Sequence, residues 1–80
     1  MTDSIYTITP REQEVLRHVQ EGLSNPEIAD ALGIGLDTVK THMGNLLFKF
    51  YVDNRTQLAI KALTTTYRVA KHTYRNGGSN

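Results

Sequence analysis

The residues best equipped for chemistry in this chain are hydrogen-bond donors. Thr38, Lys40, Thr41, His42, Asn45 and Lys49 fall in one short segment. Val39, Met43, Leu46, Leu47 and Phe50 interleave with them at helical spacing. The segment therefore reads as one helix, Leu36 to Phe50, apolar on one side and polar and weakly basic on the other. A helix gripped by its apolar side and offering donors on the other fits the major groove of duplex DNA, about 12 Å wide, where base edges and phosphates supply acceptors. Taken alone, the pattern fits an ordinary amphipathic helix with a solvated face equally well.

Other chemistries find little support. The chain has no cysteine, so no thiolate nucleophile, disulfide or thiolate metal site. His18, His42 and His72 lie far apart and lack metal-ligand spacing, so neither a metal nor a cofactor is expected. There is no convincing paired-acid or Ser-His-Asp arrangement, and a few short helices would struggle to enclose a ligand pocket of ~300 Å³, so an enzyme is not expected. Eighty residues make one small domain. No apolar run nears the ~18 residues of a membrane span, and no signal peptide is visible, so a cytoplasmic protein without membrane partners is expected. Met1 to Asn80 reads as a complete small protein.

Formal net charge is only +1, but its distribution is uneven. Every Asp and Glu lies at or before Asp53, whereas Arg55, Lys61, Arg68, Lys71 and Arg75 follow it. A C-terminal part of one sign attracts polyanions, or is simply a solvated helix face.

The elements that must position the donors are punctuated by caps. Thr9-Pro10-Arg11-Glu12 and Ser24-Asn25-Pro26-Glu27 are capping boxes with Pro at the helix start. Ile8 could staple the first turn of helix one, whose buried face carries Val15, Leu16 and Val19. Gly22 ends that helix, and Gly33 ends a second, short one bearing Ile28, Ala29 and Leu32. Gly35 is the N-cap of the third helix, and Asn54-Arg55-Thr56-Gln57 opens a fourth with Leu58, Ala59, Ala62 and Leu63. Thr64 to Thr66 weaken helix propensity, yet Arg68, Lys71, His72 and Arg75 form one helical stripe, so the fourth helix is expected to reach about Tyr74. No alternating strand pattern is visible. Residues 1–7 and 76–80 read as flexible ends around a domain spanning 8–75. A short helix, a turn containing the inward-facing Ile34 and a longer one-sided helix make a helix-turn-helix unit.

From Ile8 to Leu63 the chain resembles the LuxR-type (LuxR/GerE) helix-turn-helix family. The likeness is carried by Thr9-Pro10-Arg11-Glu12-Gln13-Glu14-Val15-Leu16, Gly22-Leu23-Ser24-Asn25, Glu27-Ile28-Ala29 and Leu32-Gly33-Ile34. It continues through Thr38-Val39-Lys40-Thr41-His42, Asn45 and Asn54-Arg55-Thr56-Gln57-Leu58-Ala59. A weaker likeness to region four of sigma factors is disfavoured by His42 and by the fourth helix. The resemblance implies an all-α, four-helix, winged-less helix-turn-helix fold and a transcriptional regulator that binds double-stranded DNA. It implies base contacts from Lys40 and Thr41, and phosphate contacts from Ser24, Asn25, Thr38, His42, Asn45, Lys49, Arg55 and Thr56. It also implies a homodimer through the fourth helix, with Leu58, Ala62 and Thr65 at the seam or, alternatively, covering the core. A second reading is a protein-interaction module that forms a heterodimer with a larger LuxR-type regulator and inhibits it. No receiver or ligand-sensing domain is visible, so control is expected from expression level or a partner.

Three departures from the family pattern stand out. Gly44 replaces a longer, base-reading residue and, inside a helix, costs ~1 kcal/mol relative to alanine. Either base readout shifts to Lys40 and Thr41, or the glycine permits close approach of a partner. Tyr51 replaces the usual glycine at the end of the third helix, so that helix is expected to end without a left-handed residue, with Tyr51 packed on Phe48 or Tyr67. Asp37 can accept from a cytosine amine or serve the helix start. The basic stripe from Arg68 to Arg75 is read as a phosphate-contacting arm or a lengthened dimer interface.

Overall fold

Among the described residues, three of the four helices begin where a side chain supplies a partner for the first amides. The computed structural model describes residues 6–70 and contains β1 (Tyr6–Ile8), α1 (Pro10–Gln20), α2 (Asn25–Leu32), α3 (Leu36–Phe50), α4 (Arg55–Thr64) and β2 (Tyr67–Val69). Both capping boxes form: Thr9 and Ser24 accept from the amides of Glu12 and Glu27, and each glutamate accepts from the amide of its capping residue. At α4, Asn54 accepts from the Gln57 amide, while the Gln57 side chain reaches the amide of Asp53 instead of Asn54. Gly22 and Gly33 take the positive φ that ends α1 and α2. The expected four-helix, helix-turn-helix arrangement is present, with α2 and α3 joined through Gly33, Ile34 and Gly35.

The core is built around α3. Val39, Met43, Leu46 and Phe50 are buried against Val15, Leu16 and Val19 of α1, Ile28 and Ala29 of α2, Leu58 and Ala62 of α4, and Ile8. Leu58 and Ala62, expected at a dimer seam, are thus core residues of the monomer. One helical turn apart, they share the face that α4 turns inward. The solvent-facing apolar residues of α4 are Ile60 and Leu63.

The chain departs from expectation after Thr64. Helix α4 does not run to Tyr74; Thr65 is already extended, and Tyr67–Val69 pair in parallel with Tyr6–Ile8. The register sets Tyr6 beside Tyr67 and Ile8 beside Val69, and the Ala70 amide donates to the Ile8 carbonyl. Two causes favour the strand. The β-branched Thr65 and Thr66 suit extended backbone, and the strand carries Tyr67 onto Phe50. Phe50 is fully buried, with the rings of Tyr6 and Tyr67 at 4.9 and 5.6 Å, both edge-on. Lys61 sits 5.8 Å above the Tyr6 ring. Tyr6 and Thr7, expected to be flexible, are therefore part of the fold. Arg68 lies on β2, so it cannot begin a helical basic stripe; Lys71, His72, Arg75 and residues 76–80 lie outside the described residues.

Helix α3 also ends against expectation. Tyr51 is left-handed (φ 58°, ψ 47°), and its amide and that of Val52 close onto carbonyls of the last turn. A glycine-type terminus is thus made with tyrosine, whose side chain is 80% exposed.

The aromatic trio generates a prediction. Tyr67→Ala should destabilise the protein by about 1–2 kcal/mol, the worth of an aromatic pair plus partial burial. Urea unfolding of the two proteins measures it, and an unchanged midpoint would show that the Tyr67 ring adds nothing to stability.

Candidate nucleic-acid interface

With one face of α3 in the core, the opposite face is determined by helical period. Two neighbouring rows cross it. Asp37, Thr41 and Asn45 make one, and Lys40, Gly44 and Phe48 the other, each stepping by four residues. All six are exposed, as is Thr38 beside them. The Thr41 hydroxyl donates to the Asp37 carbonyl at 3.1 Å, which leaves its methyl and oxygen lone pair for an outside partner. Asp37 belongs to the first turn but makes no capping bond; the N-cap is Gly35, which has no side chain to offer. Asp37 therefore supports the helix start only through its charge.

His42 and Lys49 stand on the edge of α3 nearer the core. His42 is half-buried, and its Nδ1 is buried with no hydrogen-bond partner among the described residues, so Nε2 is the ring atom left for an outside acceptor. The Lys49 ammonium donates to Glu12 Oε1 at 2.7 Å. Glu12 is only 3% exposed and accepts from the Thr9 amide through the same oxygen. The pair ties the last turn of α3 to the first turn of α1, and it engages the lysine expected on phosphate. Sequence spacing gave no signal for this contact, since the partners are distant in the chain.

The start of α2 is similarly committed. The Ser24 amide donates to Glu27, the Glu27 amide donates to Ser24, and Pro26 has no N–H. Few backbone donors are left there for a phosphate. Arg55 of α4 donates to Asn25 Oδ1 at 2.8 Å and to the Leu23 carbonyl. That contact orients the Asn25 side chain with its NH₂ group free to donate. Thr56 is exposed beside it in sequence, and Thr65 is half-buried. The exposed donors of the α3 rows are thus backed by two long-range polar clamps, Glu12–Lys49 and Asn25–Arg55.

On the far side of α4, Tyr51, Val52, Asp53, Gln57, Ile60, Lys61, Thr64 and Thr65 line an open surface groove of about 600 Å³. Phe48 and Leu63 are 79% and 74% exposed. Among the described residues no helix is long and apolar enough to cross a membrane.

A model of the family described as "Bacterial regulatory proteins, luxR family" matches residues 6–62, most of the chain. The protein belongs to that family. Its members act by binding DNA and not by catalysis, and this chain is a LuxR-type DNA-binding transcriptional regulator domain. It is similar to the uncharacterized transcriptional regulatory protein YhcZ of Bacillus subtilis, with 49% identity over 61 residues, covering 76% of this chain and 28% of that protein. The response regulator protein VraR of Staphylococcus aureus is 49% identical over 55 residues, covering 69% of this chain and 26% of that protein. The chain thus spans about a quarter of the length of these relatives. Among solved structures, the DNA-binding domain in a crystal structure of the anti-activator RapF complexed with the response regulator ComA aligns with TM-score 0.68 and 34% identity, covering 70% of this chain and 97% of that one. The response regulator ChrA of a heme-sensing two-component system aligns with TM-score 0.67 and 42% identity, covering 69% of this chain and 27% of ChrA. The LuxR-type match ends at residue 62, before β2.

The cap of α2 yields a pH prediction. Hydrogen bonds from the Ser24 amide and hydroxyl hold the Glu27 carboxyl below the usual carboxylate range. The folded value is depressed, so the stabilisation is complete above the ordinary carboxylate pKa and is lost as pH falls through the lowered one. Glu27→Gln keeps an acceptor for Ser24 but does not titrate. Its unfolding midpoint should therefore fall less than the wild-type midpoint on acidification, as followed by circular dichroism; parallel curves would remove Glu27 as a source of acid sensitivity.

Proposed function

We propose that this protein is a sequence-specific regulator that inserts α3 into the major groove of duplex DNA and binds as a homodimer through α4. The observation that carries the reading is the pair of exposed rows on α3, opposite a face locked into the core. Lys40 offers a flexible cation to guanine acceptors, and Thr41 offers a methyl and an acceptor to the adjoining base pair. Asp37 accepts from a cytosine amine. Thr38 and Asn45 donate to phosphates on one flank, with His42 acting through Nε2. Ser24, the Asn25 amide group, Arg55 and Thr56 line the phosphate path at the start of α2 and α4. With its charge offset by Glu12, Lys49 is not a phosphate contact in this reading. Action on DNA in the cytoplasm follows from this role.

Dimerisation belongs on the exposed face of α4, at Ile60 and Leu63 with Thr65 at its end, since Leu58 and Ala62 are core residues. A second reading is supported by the same apolar surface. The groove beside Tyr51 and Ile60 suits a protein partner, such as a larger relative held by heterodimerisation. The ComA domain is itself found complexed with an anti-activator protein, RapF.

Two measurements test the proposal. Lys40→Ala should weaken binding to a duplex selected from random sequence by about 1–3 kcal/mol and relax preference at one position of each half-site. Unchanged affinity of that variant would favour the protein-interaction module. Leu63→Asp should leave the monomer folded, shift sedimentation from dimer to monomer, and abolish the preference for two half-sites related by dyad symmetry. A dimer that persists in Leu63→Asp would place the seam elsewhere.

A further inference from the structure

Nothing in the described fold requires glycine at position 44. Its backbone is helical, φ is not positive, and a Cβ built there would meet nothing within 4 Å. Glycine nonetheless weakens a helix relative to alanine. The advantage of having no side chain there must lie outside the monomer, on the exposed face of α3. One turn further along the same row stands Phe48, 79% exposed. A large apolar side chain on that face gives the monomer no core contact to match its exposure. The row therefore reads cation, gap, aromatic: Lys40, Gly44, Phe48. No second cation stands on the two rows, since Lys49 is engaged by Glu12.

We propose that Phe48 is a specificity residue that reads a thymine through its C5-methyl group, with Gly44 letting the α3 backbone approach the groove floor closely enough for the ring to reach. This rests on the proposed insertion of α3 into the major groove. The chemistry fits the row. The thymine methyl is the one apolar feature of the major-groove edges, and phenylalanine is among the side chains that contact it. A phosphate contact is a poor match for an uncharged ring with no donor. Lys40 and Phe48 are separated by about 12 Å along the helix axis, which corresponds to roughly two to four base pairs depending on helix tilt. The thymine therefore lies that far from the base read by Lys40.

The full chain is used for the test, with duplexes selected by it from random sequence. Each thymine of the selected half-site is replaced in turn by deoxyuridine, which lacks only the methyl. Wild-type protein should lose about fourfold in affinity for each contacted methyl, the value of one buried apolar carbon. Phe48→Ala should bind the thymine duplex more weakly and be indifferent to uridine at those positions. Because no charge is removed, the slope of its affinity against salt should match wild type. Gly44→Ala should raise the thermal midpoint while weakening DNA binding. Both substituted positions are exposed, so the fold is preserved. Equal uridine sensitivity in wild type and Phe48→Ala would overturn the proposal. So would a Phe48→Ala variant that loses self-association while its thymine selectivity is intact, which would assign the ring to a protein interface. Binding that depends on Lys40 while Phe48 is silent would sink this inference alone; failure to enrich any duplex would remove the groove-insertion reading together with it.

Discussion

Burial of one face of α3 is the constraint from which the interface follows. Val39, Met43, Leu46 and Phe50 lie at helical spacing and are buried at 7% exposure or less. They fix the rotation of α3 about its axis, and that rotation alone decides which side chains meet the outside. A helix free to turn by a third of a circle would present His42 and Lys49 in place of Thr41 and Gly44. The Glu12–Lys49 pair reinforces the same choice from the edge of the core. Glu12 is nearly inaccessible, so removing the lysine would leave a carboxylate with little compensation. The pair gives α3 an orientation as well as a position.

The polar residues of this small domain divide into two kinds of work. Those at helix ends are mostly engaged with one another. Ser24 and Glu27 satisfy each other, and Arg55 joins α4 to the entry of α2. Those on the outer rows of α3 have few internal partners; Thr41 bonds only to its own helix. Polar groups with internal partners hold geometry, whereas exposed ones with satisfied neighbours are available to a ligand at small entropic expense. The division explains how a chain of near-neutral charge can bind a polyanion. Its cations do not all have to face the ligand, provided a few are well placed.

Most of the helical architecture was legible because it is locally encoded. Capping boxes, Gly22 and Gly33, and the apolar spacing of α3 gave helix limits that agree with the fold, down to Leu36 and Phe50. The misreadings arose where distant residues decide. A three-residue strand carries almost no periodic signal, so Tyr67–Val69 could not be recognised without its partner Tyr6–Ile8. Its basic residue instead mimicked a helical stripe. Tyrosine is by type unsuited to a left-handed cap, yet hydrogen bonds from the Tyr51 and Val52 amides to carbonyls of the last turn of α3 hold it there. On α3, the donors were evident by type, but their availability was not. Whether Lys49 is free depends on Glu12, and whether Leu58 and Ala62 are exposed depends on how α4 rolls. Phe48 carries no signal of its own in the sequence; the roll of α3 alone places it on the outer face.

The strand pair joins opposite ends of the described chain, and this bears on how the protein is made. Residues 6–62, the stretch shared with relatives, contain Phe50 and one of its two flanking tyrosines. The second tyrosine leaves the ribosome only after the last residue of α4. Until then the Phe50 ring is covered on one flank only, and β1 lacks its sole strand partner among the described residues. The pairing of Tyr6 with Tyr67 cannot precede the emergence of β2. In order of synthesis, all four helices are therefore available before the end of α3 can be sealed on its second flank.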